Sequence, residues 1–75
     1  MSKIDLEKIK MLRKKNGLSQ SDLADKLGYK TSIGYHYLES GRCQIKADQL
    51  VVLANELGVE LRELFSESNP AELTK

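Results

Sequence analysis

The chain has 75 residues, of which 12 are Lys or Arg and 11 are Asp or Glu, so its formal net charge is +1. A chain of this length forms one small domain that buries about 60–65% of its unfolded surface, too little for both a core and a deep catalytic cleft. Its single Cys cannot form an internal disulfide, and its longest apolar run, residues 50–54, is too short for a signal peptide or a membrane span. The composition therefore excludes a disulfide scaffold and a membrane protein, argues against an enzyme, and predicts a soluble cytoplasmic protein.

The charges are unevenly distributed along the chain. Residues 1–17 have a net charge of +4, residues 18–46 of +1 and residues 47–75 of −4. Such asymmetry is typical of proteins that place one face against nucleic acid, although charge runs also occur on ordinary solvated helix faces. The charge distribution alone leaves both interpretations open.

The first predicted helix begins at Lys3 or Leu6 and ends at Asn16. Its start is ambiguous because Ser2 and Asp5 are both capping residues. A glycine follows its end, as expected for a left-handed residue after a helix.

The second predicted helix has the clearest local signal in the sequence. Ser19 is a capping residue with Asp22 three positions later, close to a capping box, and Leu18 and Leu23 occupy the staple positions on either side of the cap. A short apolar stripe then ends at Gly28. The pattern predicts a helix of about two and a half turns.

The third predicted helix is capped by Thr31 or Ser32 and reaches Leu38 or Glu39. Its best inward-facing pair at i, i+3 spacing is Tyr35 with Leu38. Together with the second helix and the short connection between them, it has the arrangement of a helix-turn-helix.

The apolar pattern of residues 50–57 predicts a fourth helix that ends at Gly58; its start is poorly marked because Lys46 is not a capping residue. A shorter fifth helix is predicted from Glu60 to Ser66. No alternating strand pattern is visible. The expected fold is an all-α, compact five-helix bundle comprising residues 1–65. A polar tail, residues 66–75, follows it, and Asn69 with Pro70 could start one further helical turn there.

Particular motifs make this pattern specific. The segments are Leu18-Ser19-Gln20-Ser21-Asp22-Leu23-Ala24-Asp25-Lys26-Leu27-Gly28, Leu38-Glu39-Ser40-Gly41, Leu50-Val51-Val52-Leu53-Ala54-Asn55-Glu56-Leu57-Gly58-Val59 and Leu61-Arg62-Glu63-Leu64-Phe65. In combination they closely resemble the Cro and lambda-repressor type of helix-turn-helix protein over residues 4–65. The resemblance implies a lambda repressor-like DNA-binding domain that regulates transcription.

One departure from the family affects the register of the third helix. Ten residues lie between Gly28 and Glu39, where most members of the family have nine. Counting backward from Glu39 buries Tyr35 and Leu38, whereas counting forward from Gly28 buries residues 34 and 37. The first register is favoured because it gives the better apolar pair, and it places the extra residue in the turn, at residues 29–31.

In the favoured register the outward face of the third helix holds the candidates for base contact, which are Ser32, Ile33, His36 and Tyr37. None of these is the Arg, Asn or Gln that would identify a base, so the operator sequence is not predicted. Each also has an ordinary structural interpretation: Ile33 could pack against the turn, Tyr37 could lie along the surface and His36 could be simply exposed. Gly34 either permits close packing on the second helix or is a tolerated defect.

Phosphate contacts need only hydrogen-bond donors and positive helix ends. The resemblance implies such a role for the Gln at the start of the second helix, and charge and position extend it to the residues that flank the third helix. The candidates are Ser19, Gln20, Lys30, Ser40, Arg42 and Gln44.

The resemblance also implies an ion pair between Arg13 and Glu39 that links the first helix to the end of the third. Cys43 has no partner at metal-ligand spacing and is expected to be a small packing residue. No metal and no cofactor is predicted.

A homodimer is expected because one short helix reads only about four or five base pairs, and a two-fold axis supplies a second half-site about 34 Å away. The candidate interface residues are Val59, Leu61, Leu64 and Phe65, unless all four merely close the core. The leading hypothesis is a dimeric repressor, with RNA polymerase as a further partner if the protein activates. The alternatives are a protein-interaction module that uses the third helix and, less favoured, an RNA-binding protein that stacks bases on its tyrosines.

Overall fold

The computed structural model describes residues 2–67. Between these residues the chain forms β1 (Ser2–Ile4), α1 (Leu6–Lys15), α2 (Gln20–Lys26), α3 (Ser32–Ser40), α4 (Ala47–Leu57), a 3₁₀ turn (Leu61–Leu64) and β2 (Phe65–Glu67). The mostly helical fold and the first four helices agree with the sequence analysis. The proposed further helical turn at residues 69–70 lies outside the described residues.

The prediction of a fifth helix from Glu60 to Ser66 was wrong. Only one 3₁₀ turn forms, and at Phe65 the backbone becomes extended, with φ −104° and ψ 141°. The apolar spacing of Leu61 and Leu64 fits a 3₁₀ turn as well as an α-helix, because both place residues i and i+3 on nearly the same side. The following residues pair with another strand instead of continuing the turn.

The prediction that no strand would form was also wrong. In the described chain β1 and β2 make a two-stranded antiparallel sheet in which Ile4 lies opposite Phe65. Next to it, the Asp5 amide donates to the Leu64 carbonyl at 2.8 Å. Each strand has three residues, too few to show a period-two pattern, and the pairing joins segments about sixty residues apart. Residues 66 and 67, which the sequence analysis placed in the polar tail, therefore take part in this sheet.

The start of α1, which the sequence left open, is at Leu6. The Asp5 side chain accepts from the Lys8 amide at 3.0 Å, so Asp5 is the N-cap. The residues before it are extended because they belong to β1.

The turn between α2 and α3 is fixed by hydrogen bonds at both of its ends. Gly28, at φ +87°, follows the last turn of α2, and the amides of Gly28 and Tyr29 donate to the carbonyls of Asp25 and Ala24, at 3.1 and 2.9 Å. This is a Schellman arrangement, which ends a helix in a defined direction. The Thr31 hydroxyl then accepts from the Ile33 amide at 3.3 Å and caps α3.

The core lies between the four α-helices and the 3₁₀ turn, and every α-helix contributes side chains to it. Its buried apolar residues are Ile9, Leu12, Leu23, Ala24, Tyr35, Leu38, Ile45, Leu50, Leu53, Ala54, Leu57 and Leu64. Burial of these side chains is the main source of stability in a chain without a disulfide.

Candidate nucleic-acid interface

The register of α3 is the one obtained by counting backward from Glu39. Tyr35 is 0% exposed and Leu38 is 1% exposed, whereas Tyr37 is 37% exposed. The alternative register, which would bury Tyr37, is therefore wrong.

The reading face, defined as Ser32, Ile33, His36 and Tyr37, is the solvent-facing side of α3. Ile33 is 56% exposed and so does not pack against the turn, His36 is exposed and Ser32 is half-buried. A hydroxyl, a branched apolar side chain, an imidazole and a phenol are thus presented together. These groups can contact base edges, thymine methyls and phosphates.

The two ends of α3 carry cationic and polar side chains. Lys30 is exposed before the helix, and Arg42 and Gln44 are exposed after it. The Arg42 guanidinium carbon lies 5.2 Å from the centroid of the Tyr37 ring, a cation–π distance that holds this charge beside the reading face. Ser40 is exposed, with its hydroxyl donating to the Tyr37 carbonyl at 3.2 Å.

The start of α2 has the predicted capping box. The Ser19 hydroxyl accepts from the Asp22 amide at 3.0 Å, and the Ser19 amide donates to the Asp22 carboxylate at 2.8 Å. Hydrogen bonding to Ser19 lowers the pKa of Asp22, and the bond from the Ser19 backbone amide has the largest effect. The Ser19 amide is therefore engaged in the cap, whereas the Ser19 hydroxyl, which accepts there, still has its O–H to donate to a phosphate.

Glu39 is the centre of a buried polar group that we call the Glu39 cluster, defined as Arg13, Gln20, Tyr35 and Glu39. Arg13 donates two hydrogen bonds to the Glu39 carboxylate, from Nε at 2.8 Å and from Nη2 at 3.1 Å. Its Nη1 donates to the Leu18 carbonyl at 2.9 Å. The Tyr35 hydroxyl donates to Glu39 at 3.0 Å and the Gln20 amide at 2.8 Å. One carboxylate thus ties α1, α2 and α3 together.

The ionisation of this cluster follows from its hydrogen bonds. Burial raises the pKa of Glu39, but the hydrogen bonds from Arg13, Gln20 and Tyr35 outweigh that effect, so the pKa lies below its ordinary value. The hydrogen bond to Glu39 raises the pKa of Arg13. Burial, and then the adjacent Glu39 carboxylate, raise the pKa of Tyr35 well above its ordinary value. Glu39 and Arg13 are therefore both charged at neutral pH, and Tyr35 is neutral.

Gln20 has a role that the sequence analysis missed. Its amide group was expected to face a phosphate, yet Nε2 donates to Glu39. The remaining N–H of the amide is still available to donate to a phosphate, and the carbonyl oxygen can accept from a water. Nothing in the local sequence could have revealed this contact, because Gln20 and Glu39 are 19 residues apart.

A groove of about 240 Å³ runs between α1 and α3 beside the Glu39 cluster. It is lined by Leu6, Glu7, Lys10, Gln20, His36, Glu39 and Ser40. The groove brings one lysine of the basic N-terminal part next to α3. Glu7 and Glu39 line the groove beside this lysine, so the groove itself is not basic.

The candidates for the dimer interface differ in exposure. Leu61 is 42% exposed, whereas Val59 and Phe65 are partly buried against the core. Leu64 is 0% exposed, so assigning it to the interface was incorrect: it closes the core of its own chain. Leu61 is the member of this set most available to a second copy.

Three other features of the described residues concern reactivity, metal binding and membrane insertion. Cys43 is an exposed free thiol, so it is not the packing residue that was expected. Within residues 2–67, no three His, Cys, Asp or Glu side chains are grouped as a metal site would require. No helix in this part of the chain has the length and apolar character needed to traverse a bilayer.

Comparison with known proteins gives one match. No curated protein and no solved structure shows significant similarity to the chain. The helix-turn-helix family profile matches residues 9–64, which include most of α1, all of α2 to α4, the Glu39 cluster and the reading face. Domains of this family bind DNA in transcription regulators. The chain therefore belongs to the helix-turn-helix family of the lambda repressor and Cro type.

Proposed function

We propose that the protein is a DNA-binding repressor, and not an enzyme, that recognises a palindromic operator as a homodimer by inserting α3 into the major groove. The observation that carries the proposal is the reading face, which is solvent-facing although the other side of α3 is buried. A helix held on one side and open on the other suits a groove about 12 Å wide.

The side chains of the reading face suit direct contact with bases. The Ser32 hydroxyl can donate to or accept from any base edge, and Ile33 can contact a thymine methyl. Tyr37 and His36 can each donate to a base or a phosphate. Because these contacts are less selective than bidentate ones, we expect part of the specificity to come from DNA shape.

Contacts to the DNA backbone would flank these base contacts. Lys30 precedes α3, and Arg42 and Gln44 follow it, so their donors bracket the reading face. Phosphate contacts of this kind fix the register of a protein on DNA and supply salt-dependent affinity. The more acidic C-terminal part would then lie away from the DNA.

Dimerisation would use the C-terminal region. The support is the exposure of Leu61 next to the half-buried Val59 and Phe65, since an apolar side chain in water is stabilised when a partner covers it. Two copies would present their α3 helices to half-sites separated by about one turn of DNA, roughly 34 Å.

The experiment is selection of bound sequences from a random duplex pool, followed by a salt titration on the enriched sequence. We expect a palindrome with half-sites about 10 base pairs apart, and a log–log salt slope near −5 if each monomer neutralises about three phosphates. Enrichment of a single half-site would contradict the dimer, and no enrichment at low salt would contradict DNA recognition.

Arg42→Ala and Arg62→Ala are a matched pair for the same assay. Both remove an exposed arginine, but Arg62 lies in the 3₁₀ turn, where it pairs with Glu60 at 3.2 Å. We expect Arg42→Ala to weaken binding to every sequence and to reduce the salt slope by about one for each protomer, with Arg62→Ala close to wild type. Equal effects of the two substitutions would mean that Arg42 has no specific phosphate contact.

One observation favours a second candidate function. Residues 32–40 contain no Arg, Asn or Gln, and the apolar Ile33 of the reading face is 56% exposed. A protein partner could use such a surface. In that case the duplex pool would yield no preferred sequence, and substitution of Ile33 would change protein binding instead.

A further inference from the structure

Tyr29 connects three helices through one residue. Its backbone amide donates to the Ala24 carbonyl of α2 at 2.9 Å, and this hydrogen bond fixes the backbone position of Tyr29 relative to α2. Its ring lies against Gly34 of α3. Its hydroxyl accepts from the Gln49 amide of α4 at 3.0 Å.

The contact between the ring and Gly34 is too close for any other residue at position 34. A Cβ atom there would lie 2.5 Å from Cδ1, 2.7 Å from Cγ and 2.9 Å from Cε1 of Tyr29. Carbon atoms pack at about 3.5–4.0 Å, so either the ring or α3 would have to move. Gly34 is thus not a tolerated defect, and the partner that it accommodates is Tyr29 of the turn, not α2.

The far end of the Tyr29 side chain is also held. Gln49 lies in the first turn of α4, where its Oε1 accepts from the Lys46 amide at 2.9 Å. Because the Gln49 side-chain oxygen accepts this hydrogen bond at the start of α4, the orientation of the side-chain amide is fixed and Nε2 points toward the Tyr29 hydroxyl. The ring therefore has little freedom to swing away from Gly34.

We infer that Tyr29 is a positioning residue for DNA recognition: it acts as a spacer that sets the orientation of α3, and with it the reading face, against α2 and α4. The expected change in DNA affinity rests on the proposed function, whereas the expected change in the orientation of α3 does not. Gly34 directly follows Ile33 and lies three residues before Tyr37. Any displacement of α3 at Gly34 would consequently move Ile33 and Tyr37, two exposed members of the reading face.

The test uses Gly34→Ala, the double variant Tyr29→Ala/Gly34→Ala, and Tyr29→Phe. Residual dipolar couplings of the free protein report the orientation of α3 relative to α1, without DNA. Affinity for the selected duplex is measured under conditions in which each variant is folded. Ala54→Gly, a buried substitution within α4, is the control for lowered stability alone.

We expect Gly34→Ala to reorient α3 and to weaken binding about tenfold, the loss of roughly one good base contact, with the double variant recovering most of both. Tyr29→Phe keeps the ring but loses the Gln49 hydrogen bond, and we expect a weakening of about threefold. Ala54→Gly should bind like wild type once it is folded.

An unchanged orientation of α3 in Gly34→Ala would overturn the inference whether or not the protein binds DNA. If Gly34→Ala does not fold, the inference is overturned when Tyr29→Phe keeps both the wild-type orientation of α3 and the wild-type affinity. A changed orientation in a protein that binds no duplex would support the spacer and reject the proposed function.

Discussion

The two sides of α3 differ in how their side chains are held. On the inner side, Glu39 and Tyr35 are buried: Glu39 accepts hydrogen bonds from Arg13 of α1 and Gln20 of α2, and also from the Tyr35 hydroxyl. On the outer side, Ile33 and Tyr37 face solvent. The comparison indicates that the position of the helix is determined by one set of residues and its recognition properties by another. Substitutions on the two sides should therefore have separable effects on stability and on binding.

The largest expected effect is from Glu39→Ala. It would leave the Arg13 guanidinium, whose side chain is 9% exposed, without its carboxylate partner. Removing one member of a buried ion pair costs about 3–5 kcal/mol of unfolding free energy. Denaturant titration measures this loss, with exposed Glu63→Ala as the control. A cost below about 1 kcal/mol, the range of surface pairs, would mean that Glu39 is solvated in solution.

Tyr35→Ala should lower the unfolding free energy by at least about 3 kcal/mol, because it opens a cavity where an aromatic ring is fully buried. Ile33→Ala on the opposite side should change stability by less than about 0.5 kcal/mol and act on binding instead. Thermal or denaturant unfolding of both variants checks the prediction. If Ile33→Ala proved the more destabilising, the register of α3 would be incorrect.

The pH dependence of stability provides a test of the inner side alone. Glu39 has a lowered folded pKa, so its contribution is present above its ordinary value of 4.5 and is lost as the pH falls through the folded pKa. Tyr35 has a raised folded pKa, so its contribution is present below its ordinary value of 10.0 and is lost as the pH rises above it. Stability should decline at both extremes.

Two conservative variants separate these limits. Glu39→Gln should flatten the acid decline, and Tyr35→Phe should flatten the alkaline decline, when unfolding free energy is measured across pH. Asp22 also has a lowered pKa, so Asp22→Asn is needed to subtract its share of the acid limb. An acid decline that Glu39→Gln leaves unchanged would assign the effect to other carboxylates.

The smallest effect on stability should come from Ser32→Ala, at the start of the reading face. We expect stability within about 0.5 kcal/mol of wild type, and binding weakened by about 1 kcal/mol through loss of one hydrogen bond. Unfolding and duplex titrations on the same sample compare the two. Unchanged binding would remove Ser32 from the set of base-contact residues.

The sequence was informative where short-range chemistry decides the structure. The Ser19–Asp22 capping box and the inward pair Tyr35 and Leu38 could be predicted because their signals lie within four residues. The register of the reading face, and so the candidate site, followed from that pair.

Features that depend on distant partners were not predictable. The hydrogen bond from Gln20 to Glu39 and the pairing of β1 with β2 join segments with no local pattern in common. The contact between Tyr29 and Gly34 spans only five residues, but its meaning depends on where Gln49 of α4 lies. For the same reason a glycine within α3 could not be distinguished from a defect by sequence alone.

The small sheet has a practical implication for building variants of this domain. Because Ser2 lies opposite Glu67, the two ends of the described chain are neighbours across one pair of strands. A short linker could join them into a ring, and new ends could then be opened in the exposed residues 42–44 between α3 and α4. A circularly permuted chain of this kind would keep every helix, but α4 would be synthesised before α1, α2 and α3.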